Sequence, residues 1–194
     1  LHPYTNESVL RQYLRFRQGD RLDPLGLADS ERLLRSLEYV ADVRLHVVPL
    51  TGQEEEVAIV VEVRDRLPVG ARGALRDVDR FDGGLFHANL AGQDVRVAGD
   101  LWYRRGGTPE TGWGASVRKR NVGGSFLAAE LGYEDSWRGL GRRLSLEREE
   151  AHPDIRWVGG FAWSDWRERD PGRPVEQADR GDARVGPEVV DDLA

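Results

Sequence analysis

Apolar side chains recur at helical spacing up to Leu37 and at alternate residues from Val43 onward. Leu10, Tyr13 and Leu14 follow Thr5 and Asn6, two residues suited to capping, and predict a helix that Gly19 and Asp20 stop. A second short helix is predicted after Pro24 and Gly26, with Asp29 or Ser30 as cap and Leu33, Leu34 and Leu37 as its buried stripe. Val43, Leu45 and Val47 then point one way and Arg44 and His46 the other. Pro49, Thr51 and Gly52 supply a turn, and Val57, Ile59, Val61 and Val63 form a second alternating run. The pair reads as an antiparallel hairpin under two helices. A hairpin buries too little by itself, so a further strand is expected at its edge, upstream of Leu1.

Beyond Pro68 the helical spacing disappears, and glycine separates segments of about ten alternating residues, a length that lets a tilted strand cross a bilayer. The apolar members of these runs form the expected lipid-facing set: Leu101, Tyr103, Val117, Leu127, Leu131, Tyr133, Leu144, Leu146, Trp157, Phe161 and Trp163. Their neighbours, including Arg104, Arg118, Glu130, Arg143 and Glu147, suit a watery lumen. A charge on the lipid face at mid-membrane would cost about 2–4 kcal/mol. Tyr103, Tyr133, Trp137 and Trp166 lie near strand ends, where amphipathic rings favour the membrane interface. About six strands are expected here. From Arg167 onward Asp, Arg, Pro and Gly dominate, which predicts a long polar loop or a disordered end.

Composition alters this picture little. The net charge of −6 arises from 28 basic and 34 acidic residues of mixed distribution, which argues against a nucleic-acid partner. Cysteine is absent, which removes disulfides, thiolate metal sites and cysteine nucleophiles. No apolar run approaches the roughly 20 residues of a membrane-spanning helix. The chain begins at Leu1 and contains no methionine, and it is expected to be a piece of a longer protein.

Phe16 to Asp20 (FRQGD), Leu37 to Val43 (LEYVADV) and the whole run from Glu31 to Val47 resemble the POTRA domain of the BamA/TamA outer-membrane family. Asn89 to Gly92 (NLAG) and Asn121 to Ser125 (NVGGS) look like the tight periplasmic turns of that family's early barrel strands. On that basis Arg105 to Thr111 and Asp135 to Gly139 would be outer loops. The family's later Arg-Gly-Phe-type lumen motif is not found in this chain. The resemblance implies an α+β POTRA-like module (βααββ, its first strand missing) over residues 1–67. Antiparallel strands of a partial transmembrane β-barrel follow over 68–166, with the polar segment at 167–194. It further implies a bacterial outer-membrane location, with the N-terminal module in the periplasm.

No catalytic chemistry competes with this reading. His2, His46, His87 and His152 show no paired ligand spacing, and no nucleophile elbow, phosphate loop or dinucleotide fingerprint is found. Acidic clusters at 54–56 and 147–150 read as solvated charge. A non-enzymatic role without cofactor or metal is expected. The resemblance implies an assembly factor whose partners are the outer-membrane bilayer and unfolded barrel clients or accessory periplasmic subunits. The edge strand for such clients would be Val43, Arg44, Leu45, His46, Val47 and Val48, which suits β-augmentation. A secretion-type pore or passenger carrier is one alternative, and a soluble β-rich binding module, with its apolar residues sealed between sheets, is another.

Overall fold

The computed structural model describes residues 4–51, 56–77, 79–105, 110–148 and 159–169. The chain divides into two compact units, Leu1–Pro68 with Ala91–Gln93, and Val69–Leu90 with Asp94–Ala194.

In the first unit α1 spans only Glu7–Arg11, capped by Asn6, and ends sooner than the apolar spacing predicts. The amide of Arg15 donates instead to the Ser30 hydroxyl at 2.8 Å, so the chain leaves the helical path while Val9 and Tyr13 still reach the core. Helix α2 covers Pro24–Arg35 and begins earlier than expected. Asp23 is its cap, accepting from the amides of Leu25 (3.0 Å) and Gly26 (3.1 Å), and Pro24 takes the first helical position, where a missing N–H costs nothing. Ser30 is therefore no cap. It lies buried within the helix, donating to the Gly26 carbonyl at 2.7 Å. Leu33, Leu34 and Leu37 are buried as expected, with Tyr39, Val40 and Val43. Strand β1 (Val40–Pro49) pairs antiparallel with β2 (Val57–Asp65), Val43 facing Val63 and Val47 facing Ile59.

The second unit is one antiparallel meander. Its strands are β3 (Val69–Asp77), β4 (Arg80–His87), β5 (Val95–Arg104), β6 (Glu110–Lys119), β7 (Leu127–Ser136), β8 (Gly139–Arg148) and β9 (Gly159–Glu168). Each pairs with the next in sequence, and the outer edges of β3 and β9 are unpaired among the described residues, so this sheet is not closed. Seven strands stand where about six were expected. Glycines at 70, 73, 83 and 84 had thinned the alternation that marks β3 and β4. Strand β9 runs two residues past the predicted end at 166, while Trp157 and most of the polar segment lie outside the described residues.

Two connections on one side of this sheet share a geometry. Asn89 accepts the amide of Asp94 through its Oδ1 (2.7 Å), and Asn121 accepts that of Phe126 in the same way (2.8 Å). Positive φ recurs at matching positions: Ala91, Gly92 and Asp94 in one turn, Gly123, Gly124 and Phe126 in the other.

Candidate functional site

Side chains directly opposite each other on paired strands share a face, so the register alone sorts the sheet. One row runs through Leu85, Gly99, Ala115, Tyr133, Arg142 and Asp165, and the next toward the turns through His87, Val97, Val117, Leu131, Leu144 and Trp163. All the described members of the expected lipid-facing set fall on this face. Leu101 and Tyr103 stand on β5, Val117 on β6, Leu127, Leu131 and Tyr133 on β7, Leu144 and Leu146 on β8, Phe161 and Trp163 on β9.

Large apolar side chains on this face are exposed. Leu101 and Leu131 are 63% and 60% exposed, and Leu75 and Leu85 on the same face are more exposed still. On the reverse face the side chains of Asp100 and Glu130 retain 19% and 23%. Soluble monomers rarely leave so continuous an apolar surface exposed, and no strand of the same sheet folds back over it among the described residues.

The reverse face is held by polar contacts. Arg72 donates to Asp100 at 2.8 Å through Nε, Arg104 to Glu110 at 2.7 Å, and Arg118 to Glu130 at 3.4 Å, with Arg143 4.0 Å from the same carboxylate. Arg96 lies over the Phe86 ring at 4.0 Å. Near the loop end a depression of about 270 Å³ is lined by Asp82, Trp102, Arg104, Glu134, Trp137 and Arg138. Arg104 stands 5.3 Å from the Trp137 ring there.

Glycine makes these contacts possible, a role that the alternation of apolar residues did not reveal. Phe86 lies over Gly70, the Arg72–Asp100 pair over Gly84, Trp102 over Gly114 and Trp166 over Gly141. A Cβ at Gly114 would stand 2.8 Å from the Trp102 ring, and one at Gly141 2.8 Å from that of Trp166. Trp166, which alternation along the strand sets opposite Phe161 and Trp163, packs on the polar face over Gly141. The usable signal in the sequence was the placing of glycines in phase with large side chains of the neighbouring strand, because a strand glycine often marks a close approach.

The expected client edge lies on β1. Val43 is buried, Leu45 is half-buried, and Arg44, His46, Val47 and Val48 are exposed. The amide of Val43 is 2.9 Å from its acceptor Asp42 Oδ1, and its carbonyl accepts from Arg35 Nη2 at 2.9 Å. Both main-chain groups are engaged locally, so the edge left to a partner strand begins at Leu45. His46 Nε2 is 3.7 Å from Glu62. Among the described residues no helix is long and apolar enough to cross a membrane, and no three His, Cys, Asp or Glu side chains are gathered to hold a metal.

The chain is similar in structure to BamA from Haemophilus ducreyi lacking POTRA domains 1–3, with a TM-score of 0.58 and 15% identity. The match covers 83% of this chain and 33% of that one, so the present chain spans about a third of its neighbour. This is a likeness of fold: the antiparallel sheet resembles part of a BamA barrel. No family model matches the chain, and no curated protein matches it.

Proposed function

We propose that this chain forms part of an outer-membrane β-barrel protein that assists other barrel proteins into the membrane, acting without catalysis or cofactor. The observation that carries the reading is the unlike faces of the β3–β9 sheet: large apolar side chains are exposed on one, and the Arg72–Asp100, Arg104–Glu110 and Arg118–Glu130 pairs stand on the other. Water on the apolar side would make that arrangement costly, whereas hydrocarbon there and water on the polar side satisfy both faces.

The N-terminal unit, with its order of two helices and two strands and the POTRA-like run from Glu31 to Val47, acts in this reading as a periplasmic docking module. Its β1 edge from Leu45 offers main-chain groups to an extended client or an accessory subunit, and the Arg35–Val43 contact limits how far such a strand can extend. Client hairpins then fold against the barrel. Each gains hydrogen bonds and lipid burial as it does so, and no other energy source is required.

Leu131→Arg places a guanidinium on the lipid side of β7. It is expected to reduce recovery of the full-length protein in the outer-membrane fraction at least severalfold, against about 2–4 kcal/mol of mid-membrane cost. Unchanged recovery, or isolation of the wild-type protein from the aqueous fraction as a compact monomer, would refute the membrane reading.

A further inference from the structure

Arg142 stands on the apolar face of the sheet, in β8, with Leu140 and Leu144 before and after it on the same face. Its register partners are Tyr133 on β7 and Asp165 on β9. The residue is exposed, and among the described residues its guanidinium makes no hydrogen bond or ion pair. An arginine between leucines, on a side that the membrane reading gives to lipid, is costly unless an anion meets it.

The protein's own carboxylates on this part of the face are already held. Asp165 Oδ2 lies 3.6 Å from Arg167 Nε, two residues along its own strand, and Asp135 accepts from Arg169 Nη2 at 2.8 Å. Three guanidinium groups thus share two carboxylates, and the one left over is that of Arg142. The same surface holds a neutral donor. The Tyr133 ring lies against Trp113 with 5.1 Å between centroids. Residues directly opposite on antiparallel strands have Cβ atoms about 5 Å apart, so Tyr133 and Arg142 rise from the sheet side by side.

We infer that Arg142, with Tyr133 and Arg167 beside it, binds the phosphate of a membrane lipid whose headgroup ends in a phosphate monoester. A guanidinium presents a planar fork of N–H donors that matches two phosphate oxygens, and a tyrosine hydroxyl can donate to another. Lipid is the source because the inference rests on the membrane reading above, in which lipid is what reaches this face; it adds to that reading a ligand and the residues that hold it. A monoester suits the site better than the phosphodiester of phosphatidylcholine. More of its oxygens are unsubstituted, and no choline in the same headgroup answers its charge.

Arg143 supplies the control. It is next in sequence, carries the same charge and stands on the opposite face, 4.0 Å from Glu130. The full-length protein and its Arg142→Gln, Arg142→Lys and Arg143→Gln variants would be held in detergent micelles, with strand content checked by circular dichroism. Native mass spectrometry would follow binding as phosphatidic acid, phosphatidylcholine or inorganic phosphate is added. The wild type is expected to bind phosphatidic acid at least about fivefold more tightly than phosphatidylcholine. Arg142→Gln should abolish that preference, Arg142→Lys should keep part of it, and Arg143→Gln should leave it within about twofold. Inorganic phosphate in excess should leave the lipid bound. Equal losses in Arg142→Gln and Arg143→Gln would reduce the effect to net charge and overturn the site, as would a wild type without the preference. Displacement by inorganic phosphate would overturn the lipid source. In each of these outcomes phosphatidylcholine still binds and the membrane reading stands. A wild-type protein that stays monomeric without detergent and binds neither lipid would overturn both.

Discussion

Asn89 and Asn121 show how single residues set the sheet's connections. Each is almost fully buried, and each holds an amide five positions later at a non-glycine residue of positive φ: Asp94 at 54° and Phe126 at 57°. That conformation brings Cβ against the backbone and costs an ordinary residue roughly 1–2 kcal/mol, so the asparagine bond has to offset it. Replacing Asn121 by Ala leaves the Phe126 amide without its acceptor and should lower stability by about 1–3 kcal/mol, read as a shift of the urea unfolding midpoint in detergent. Asn89→Ala should behave alike. A shift in neither variant would mean that the turns are held by something other than these bonds.

Strands pack here by placing a large side chain over a glycine of the next strand. Gly141 accepts the Trp166 ring, while a Cβ at Gly132 in the same sheet would meet only Arg143 Cβ at 3.6 Å, an ordinary contact. Gly141→Val is accordingly expected to cost about 1–3 kcal/mol by forcing the indole aside. Gly132→Ala should change the same unfolding midpoint little. Equal effects would show that the glycines matter for backbone freedom alone and not for the space they leave. The same pairing explains why β3 and β4 were hard to see in the sequence: residues kept small for a neighbour's ring look like punctuation when read along one strand.

The two faces of the β3–β9 sheet, taken together, make a demand on the surroundings that no single strand makes. One face exposes large apolar side chains such as Leu85, Leu101 and Leu131, and the other carries the Arg72–Asp100 and Arg118–Glu130 pairs, so the two faces suit different solvents. The chain is expected to associate in plain buffer and to disperse in detergent micelles with its strand content retained, as followed by light scattering and circular dichroism. A monodisperse monomer in buffer alone would require those apolar side chains to be covered, as in a soluble sandwich. The edges of β3 and β9, unpaired among the described residues, add to the tendency to associate.

Alternation by itself determined the change from helices to strands, the positions of most strands from β5 onward and the membership of one apolar face. Those properties depend on period two within a single strand, which the order of residues records directly. Only the tertiary structure decided which face is exposed, that Trp166 packs over Gly141, that Asp23 and not Ser30 caps α2, and that Val43 has its edge groups engaged. Each of these depends on a partner distant in sequence or on a choice among neighbouring caps that local preference leaves open.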